Sequence, residues 1–188
     1  MIRLFVALAL PEDVRRRLEM LRGGIPGARW QSAEQMHLTL RFIGEVDGAA
    51  FREIMDALAD IEAEAFTLSL EGVGHFPPRG RVRILWAGVA HSPALLRLQE
   101  RTEAVITGLG HAPDGRNYAP HVTLARFASR VSQHRLQEFM SFHGLFGSGP
   151  FPVRSFELFS SHLGAGGAHY EVEARYPLVT QPLGDDDE

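Results

Sequence analysis

The spacing of apolar positions switches between continuous runs and a three-to-four-residue period, and each switch marks a new element. Residues 4–10 (LFVALAL) are apolar throughout and end at Pro11, which predicts a buried first strand. Val14, Leu18 and Leu21 then share one face of a short helix whose Arg15, Arg16 and Arg17 turn to solvent. A strand around His37 and Thr39 follows, closed by Gly44. Asp47 reads as the cap of a helix carrying Phe51, Ile54, Leu58 and Ile61 on one side. Residues 66–73 are a further strand.

The second half repeats this order. Residues 84–90 read as a strand, and Ser92-Pro93 as a helix cap with proline in the first turn. Leu95, Leu98, Thr102 and Val105 form the helical stripe, and a strand around His121 and Thr123 comes next. Ser132 opens a helix with Leu136, Phe139, Met140 and His143 inward, and residues 151–160 close the chain as a strand. Landmarks recur in order: Ala7 with Ala87, His37 with His121, and Phe66 with Phe151, at offsets of 80, 84 and 85 residues. The pattern predicts two copies of a strand–helix–strand–helix–strand unit about a pseudo-twofold axis, joined by a connector at residues 74–80. The fold class expected is α+β: a bilobal, duplicated fold with two antiparallel sheets lining a central cleft and helices packed outside. It is read as a single domain over residues 1–184, followed by an acidic tail at 185–188.

Composition narrows the chemistry. The 188 residues are ordinary for a globular chain, and a formal charge of −4 gives no basic field advertising nucleic acid. There is no cysteine, so disulfides, thiolate metal sites and a cysteine nucleophile are excluded. There is no lysine either: all 19 basic residues are arginine, which removes a P-loop lysine, a Schiff base and a lysine–nucleotide intermediate. Ala7-Leu8-Ala9 mimics a signal-peptidase site, but the apolar run before it is too short. No run approaches the ~18 apolar residues of a membrane span. A soluble, cytoplasmic protein is the expectation.

The two motif strands, MHLTLRF and PHVTLARF, each carry His-x-Thr. On a strand, residues i and i+2 share a face about 6.6–7 Å apart. His37 and Thr39 therefore face one way and Leu38 and Leu40 the other, as do His121 and Thr123 against Val122 and Leu124. Three readings compete. A lone His-x-Thr is readily a core histidine with a satisfied hydrogen bond. A metal site needs three or four ligands, and the other seven histidines offer no His-x-His or His-x3-His spacing. A repeat, however, gains nothing structural from keeping an imidazole twice. Two imidazoles with pKa near about 6.5, converging with two hydroxyls, suit paired acid–base work at phosphorus. No metal and no cofactor is called for.

HLTLRFIGEV and YAPHVTLARF resemble the paired His-x-Thr motifs of the 2H phosphoesterase superfamily. RLFVALALPEDV, RVRILWAGV and SFELFSSHLGAGGAHYEV extend the resemblance, within it, to the RNA 2′,3′-cyclic phosphodiesterases, also called the 2′-5′ RNA ligase family. The resemblance implies opening of an RNA-terminal 2′,3′-cyclic phosphate to a 2′-phosphate, with His37 and His121 sharing the acid and base roles. Thr39 and Thr123 would hold the non-bridging oxygens, and reversal with a 5′-hydroxyl would give a 2′-5′ linkage without ATP. The partners implied are RNA or oligonucleotide ends, tRNA halves among them, met by a monomer. Phe42 carries over as a base-stacking platform and Arg126 as a phosphate contact. Strand parity objects to both, since i+5 faces away from i, so a bulge or the strand end, at Gly44 in the first copy, has to re-aim them. Arg41 has the parity for the cleft, whereas Arg79, Arg81, Arg83, Arg116 and Arg130 read as solvated loop residues. Two other functions are the same chemistry on small cyclic nucleotides or ADP-ribose cyclic phosphate, and a non-catalytic RNA- or nucleotide-binding module.

Overall fold

A computed structural model describes residues 1–164 and 167–180; the acidic tail expected at 185–188 lies outside the described residues. The chain runs β1 (Ile2–Ala9), α1 (Glu12–Glu19), β2 (Ala28–Trp30), a 3-10 turn (Ala33–Gln35), β3 (His37–Val46), α2 (Gly48–Ala59), β4 (Phe66–Phe76) and β5 (Ile84–Val89). It continues with α3 (Pro93–Gly108), β6 (His121–Phe127), α4 (Gln133–His143), β7 (Gly147–Val153), β8 (Ser155–Gly164) and β9 (Gly167–Pro177). Cap chemistry explains three helix starts. The Asp47 carboxylate accepts from the Ala49 and Ala50 amides, the Ser92 hydroxyl from Leu95, and the Ser132 hydroxyl from Arg135.

The strands form one antiparallel sheet in the order β7-β4-β5-β6-β3-β1-β8-β9, with β2 on the side of β6. The two expected sheets are its halves, and they meet at one residue pair, Leu38 with Val122. The axis of the duplication passes there. β1, β3 and β4 match β5, β6 and β8, and the third strand of each copy crosses to the other: β4 pairs with β5, and β8 with β1. Each half of the sheet is thus built from both copies, which ties the halves together.

The register corrects details of the repeat. Ala7 lies opposite Thr39 and Trp86 opposite Thr123, so Ala7 corresponds to Trp86 rather than Ala87. Phe66 and Phe151 are not equivalent at all. They sit on the neighbouring strands β4 and β7, where Phe66 faces Val153 and Phe151 faces Leu68. Residues 74–76 belong to β4, so the connector is a shorter hairpin turn. Residues 151–160 span the end of β7 and the start of β8, and β9 follows.

The helices bury most of their predicted stripes: Val14 and Leu18 on α1, Ile54 and Leu58 on α2, Leu95, Leu98 and Thr102 on α3, and Leu136 and Phe139 on α4. On α3 the last buried position is Ile106, not the expected Val105, which is half-buried, as is Phe51 on α2. Met140 and His143 are only half-buried. These stripes join Leu4, Val6, Leu8, Leu38, Leu40, Leu85, Val122 and Leu124 in one core on one face of the sheet. A second cluster, Phe5, Ala7 and Phe159 with Tyr170 against it, lies apart from that core. Phe5 and Ala7 occupy the alternate positions of β1, and Phe159 lies opposite Phe5 on β8, so the cluster belongs to the opposite face.

Candidate active site

Residues directly opposite in an antiparallel pair point to the same face. Ala9–His37, Ala7–Thr39, Gly88–His121 and Trp86–Thr123 are such pairs, which sets both His-x-Thr pairs on the face away from the helices. The antiparallel order around Leu38–Val122 brings His37 to the side of Thr123, and Thr39 to the side of His121. The two motifs therefore lie side by side at the centre of one sheet, and a cleft of about 940 Å³ opens above them, lined by His37, Thr39, His121 and Thr123 among others.

Phe42 and Arg126 line the same cleft, and a repeated irregularity explains how. In β3, Thr39 pairs with Ala7 and Arg41 with Val6, so Leu40 has no partner of its own. In β6, Thr123 pairs with Trp86 and Ala125 with Leu85, so Leu124 is skipped at the equivalent position. Each bulge inverts the parity beyond it. Phe42 then lies opposite Phe5 on the cleft face, ring centroids 5.8 Å apart, and its ring is half exposed. Arg126 lies opposite Ile84 on that face. Gly44, with φ +96°, sits at a second irregularity of β3, not at the one that re-aims Phe42.

The same inversion turns Arg41 toward α3, at the α3 side of the cleft lining rather than beside the histidines. It is 7% exposed, and its Nε lies 2.5 Å from the Glu103 carboxylate. The guanidinium also donates to the Phe42 and Ala112 carbonyls, so its hydrogen bonds are spent inside the protein. Among the loop arginines, Arg83 and Arg116 reach the cleft wall, Arg116 pairing with Asp114 at 3.2 Å. Arg81 donates to the Ala128 carbonyl.

Each histidine is held the same way. His37 Nδ1 is 2.8 Å from the Gln35 carbonyl, and His121 Nδ1 is 2.7 Å from the Ala119 carbonyl. A carbonyl only accepts, so each Nδ1 carries the proton, and each Nε2 is left as the reactive nitrogen. The surroundings differ. His37 packs on Phe5 (4.8 Å) and edge-on to Tyr170 (5.1 Å), with Phe159 stacked beyond at 6.1 Å. His121 meets Phe76 edge-on at 5.0 Å, and Phe76 leans on Trp86. Trp86 fits there because β4 has Gly74, where a Cβ would come within 2.2 Å of the indole.

Burial in the aromatic cluster lowers His37 from the usual 6.5 to about 4, against the opposing pull of the Gln35 carbonyl; the charges of Arg126 and His121 lower it further. His121 is lowered too, by burial first and then by Arg126, with the Ala119 carbonyl opposing. Both imidazoles are neutral near pH 7 in the free protein. Arg126, which carries no ion pair among the described residues, faces both. The cleft thus offers two neutral Nε2 bases, two hydroxyls and the Arg126 cation facing them, with Arg83 on the wall, a set suited to a phosphate anion.

Sequence reasoning missed the residues that hold the histidines. Phe5 sits in a run that is apolar on both faces, which hides its parity, and Phe159 alternates with Glu157, which masks an apolar face there. Tyr170 belongs to β9, whose alternation is too weak to read. The carbonyls of Gln35 and Ala119 carry no side-chain signal. Among the described residues, one group of potential metal ligands comes together, His162, Glu171 and Glu173, exposed on the β8–β9 hairpin and outside the cleft lining.

The model of the LigT-like phosphoesterase family matches residues 8–86 and 89–170, one motif in each segment. This chain belongs to that family. It is 34% identical over 159 residues to the RNA 2′,3′-cyclic phosphodiesterase of Aeropyrum pernix, covering 84% of this chain and 90% of the relative. It is 28% identical to the RNA 2′,3′-cyclic phosphodiesterase of Escherichia coli, covering 94% and 97%. Among solved structures, E. coli LigT complexed with 3′-AMP superposes with a TM-score of 0.77 at 25% identity, covering 94% of this chain and 98% of that one. A Thermus thermophilus protein, TT0787, superposes at 0.76 with 28% identity, covering 94% and 97%.

Proposed function

We propose that this phosphoesterase hydrolyses the 2′,3′-cyclic phosphate at an RNA end to a 2′-phosphate and a free 3′-hydroxyl, with His37 and His121 as the acid–base pair. What supports this most is the matched pair of carbonyl-anchored imidazoles, each with Nε2 free in one cleft. Water adds its oxygen to phosphorus while one Nε2 takes its proton. The P–O3′ bond breaks, and the other histidine, protonated in the bound state, gives its proton to O3′. The phosphate charge promotes that protonation by opposing the lowering that burial and Arg126 impose. Thr39 and Thr123 donate to the non-bridging oxygens, Arg126 balances their charge, and Phe42 stacks on the terminal base. The pseudo-twofold relation of the motifs assigns neither role to a particular histidine.

The names of the relatives support the RNA substrate. Run backwards, the same steps join a 5′-hydroxyl to a 2′,3′-cyclic end with a 2′-5′ bond. We read the protein as a cytoplasmic monomer acting on RNA fragments such as tRNA halves; purified tRNA halves left unopened at enzyme concentrations that turn over mononucleotides reject that substrate.

The deciding experiment is hydrolysis of a nucleoside 2′,3′-cyclic phosphate in excess EDTA, with the product read by phosphorus NMR. A 2′-phosphate formed at an undiminished rate is expected. Turnover abolished by EDTA rejects a two-histidine mechanism, and a 3′-phosphate product reverses the leaving group. A strong preference for mononucleotides over oligonucleotide ends moves the substrate to small cyclic nucleotides, and no turnover on any of them leaves a binding module.

A further inference from the structure

Leu38 and Val122 are the only β3–β6 pair among the described residues, and past it the two strands part. Parting leaves backbone carbonyls along both inner edges in need of partners. On β6 they are met by backbone: β2 pairs with residues 125–127, and the Gln31 amide donates to the Leu124 carbonyl at 2.8 Å. The pseudo-twofold equivalent of β2 is the segment between α3 and β6, residues 109–120, and it is not a strand. It serves β3 through side chains instead. The Tyr118 hydroxyl donates to the Thr39 carbonyl at 3.0 Å. Arg41 donates to the Ala112 carbonyl and pairs with Glu103, which in turn accepts from the Asp114 amide at 3.0 Å.

Tyr118 directly precedes Ala119, whose carbonyl anchors His121, and Pro120 stiffens the link between them. Its partner Thr39 belongs to the other motif. We propose that Tyr118 is a positioning residue: by fastening the segment before His121 to the Thr39 carbonyl, it aims the Ala119 carbonyl and so fixes the tautomer and orientation of the His121 ring. Burial pushes the Tyr118 phenol up, so it remains a donor throughout the working pH range. The first copy solves the same problem on another element. There the Gln35 side chain, which accepts from the Ser32 amide, donates to the Ala168 carbonyl of β9 at 2.7 Å and steadies the carbonyl that anchors His37.

The activity consequence rests on the acid–base reading of His121; the effect on its ring does not. The test is therefore made on the free protein, by long-range nitrogen-15 NMR of labelled histidine at pH 7.5. The wild type is expected to show His121 protonated at Nδ1 alone, and Tyr118→Phe a mixture of tautomers. In the same variant, kcat on a nucleoside 2′,3′-cyclic phosphate should fall roughly five- to tenfold, with KM little changed, as for loss of one aligning hydrogen bond. Tyr176→Phe is the control, because the Tyr176 hydroxyl also donates to a backbone carbonyl, that of Met55 at 3.0 Å, but outside the cleft lining. It should lower the melting temperature and move neither readout. Should Tyr118→Phe fail to fold, Glu103→Gln loosens the same segment at its other anchor and should mix the His121 tautomers. An unmoved tautomer in whichever variant folds overturns the proposal; an unmoved tautomer with lost turnover shows that Tyr118 acts on substrate directly.

Discussion

At the scale of single residues, the cleft combines two neutral imidazoles with the Arg126 guanidinium, and each group tunes the others. His37→Ala and His121→Ala should each cut kcat by at least about 10², as expected for loss of a general acid or base, while thermal melting shows both variants folded. A near-normal rate in either returns that histidine to a packing role. Arg126 lowers both histidines in the free protein. Arg126→Gln should therefore raise both imidazole pKa values in an NMR titration and also raise KM, because the phosphate loses its counter-charge. Unmoved titrations would place Arg126 out of reach of the pair. His37, Thr39, His121 and Thr123 were legible because each motif starts from simple strand alternation, and the repeat gave them weight. Tyr118 and Gln35 were not, because their work is done on backbone carbonyls three-dimensionally adjacent to the motifs.

At the scale of elements, the bulge decides what the motif strands present. Alternation alone sends Phe42 to the core and Arg41 to the cleft face, and one extra residue at Leu40 brings Phe42 to that face and turns Arg41 toward α3. A bulge of this kind has no composition signal here: Leu40 and Leu124 are ordinary core leucines, each fully or almost fully buried. Capped helices were legible, since Asp47, Ser92 and Ser132 pair a short polar acceptor with an apolar stripe. The edge strands were not. β7 reads GSGPFPV, whose glycines and prolines look like loop, and β9 exposes most of its side chains. The half-exposed Phe42 ring predicts a split in kinetics. Phe42→Ala should raise KM for a nucleoside 2′,3′-cyclic phosphate by about five- to a hundredfold, equivalent to roughly 1–3 kcal/mol of stacking. A base-free ribose cyclic phosphate should be turned over at the wild-type rate. Equal losses on both substrates would make Phe42 a support for Phe5 and His37, not a platform.

At the scale of the whole molecule, the crossing of β4 and β8 between copies makes the site a property of the intact sheet, since the strands flanking each motif come from both halves of the chain. Keeping two histidines neutral at the centre of that sheet couples function to stability. A histidine whose folded pKa is depressed binds fewer protons when folded than unfolded, so its favourable contribution is complete above the unfolded value near 6.5 and is lost as pH falls through the folded value. For His37 that window runs from 6.5 down to about 4, and His121 is shifted in the same direction. The loss from His37 is on the order of 2 kcal/mol once solvent at the cleft edge is allowed for. Urea denaturation midpoints should therefore drop between pH 7 and pH 4. Acid also protonates carboxylates such as the Asp47 cap, which is held below its usual range by the Ala50 and Ala49 amides. His37→Gln separates the two effects: its midpoint should fall less steeply over the same window, because glutamine takes up no proton. A variant that declines in parallel with the wild type would assign the acid sensitivity to the carboxylates and leave the His37 ring solvated enough to charge without penalty.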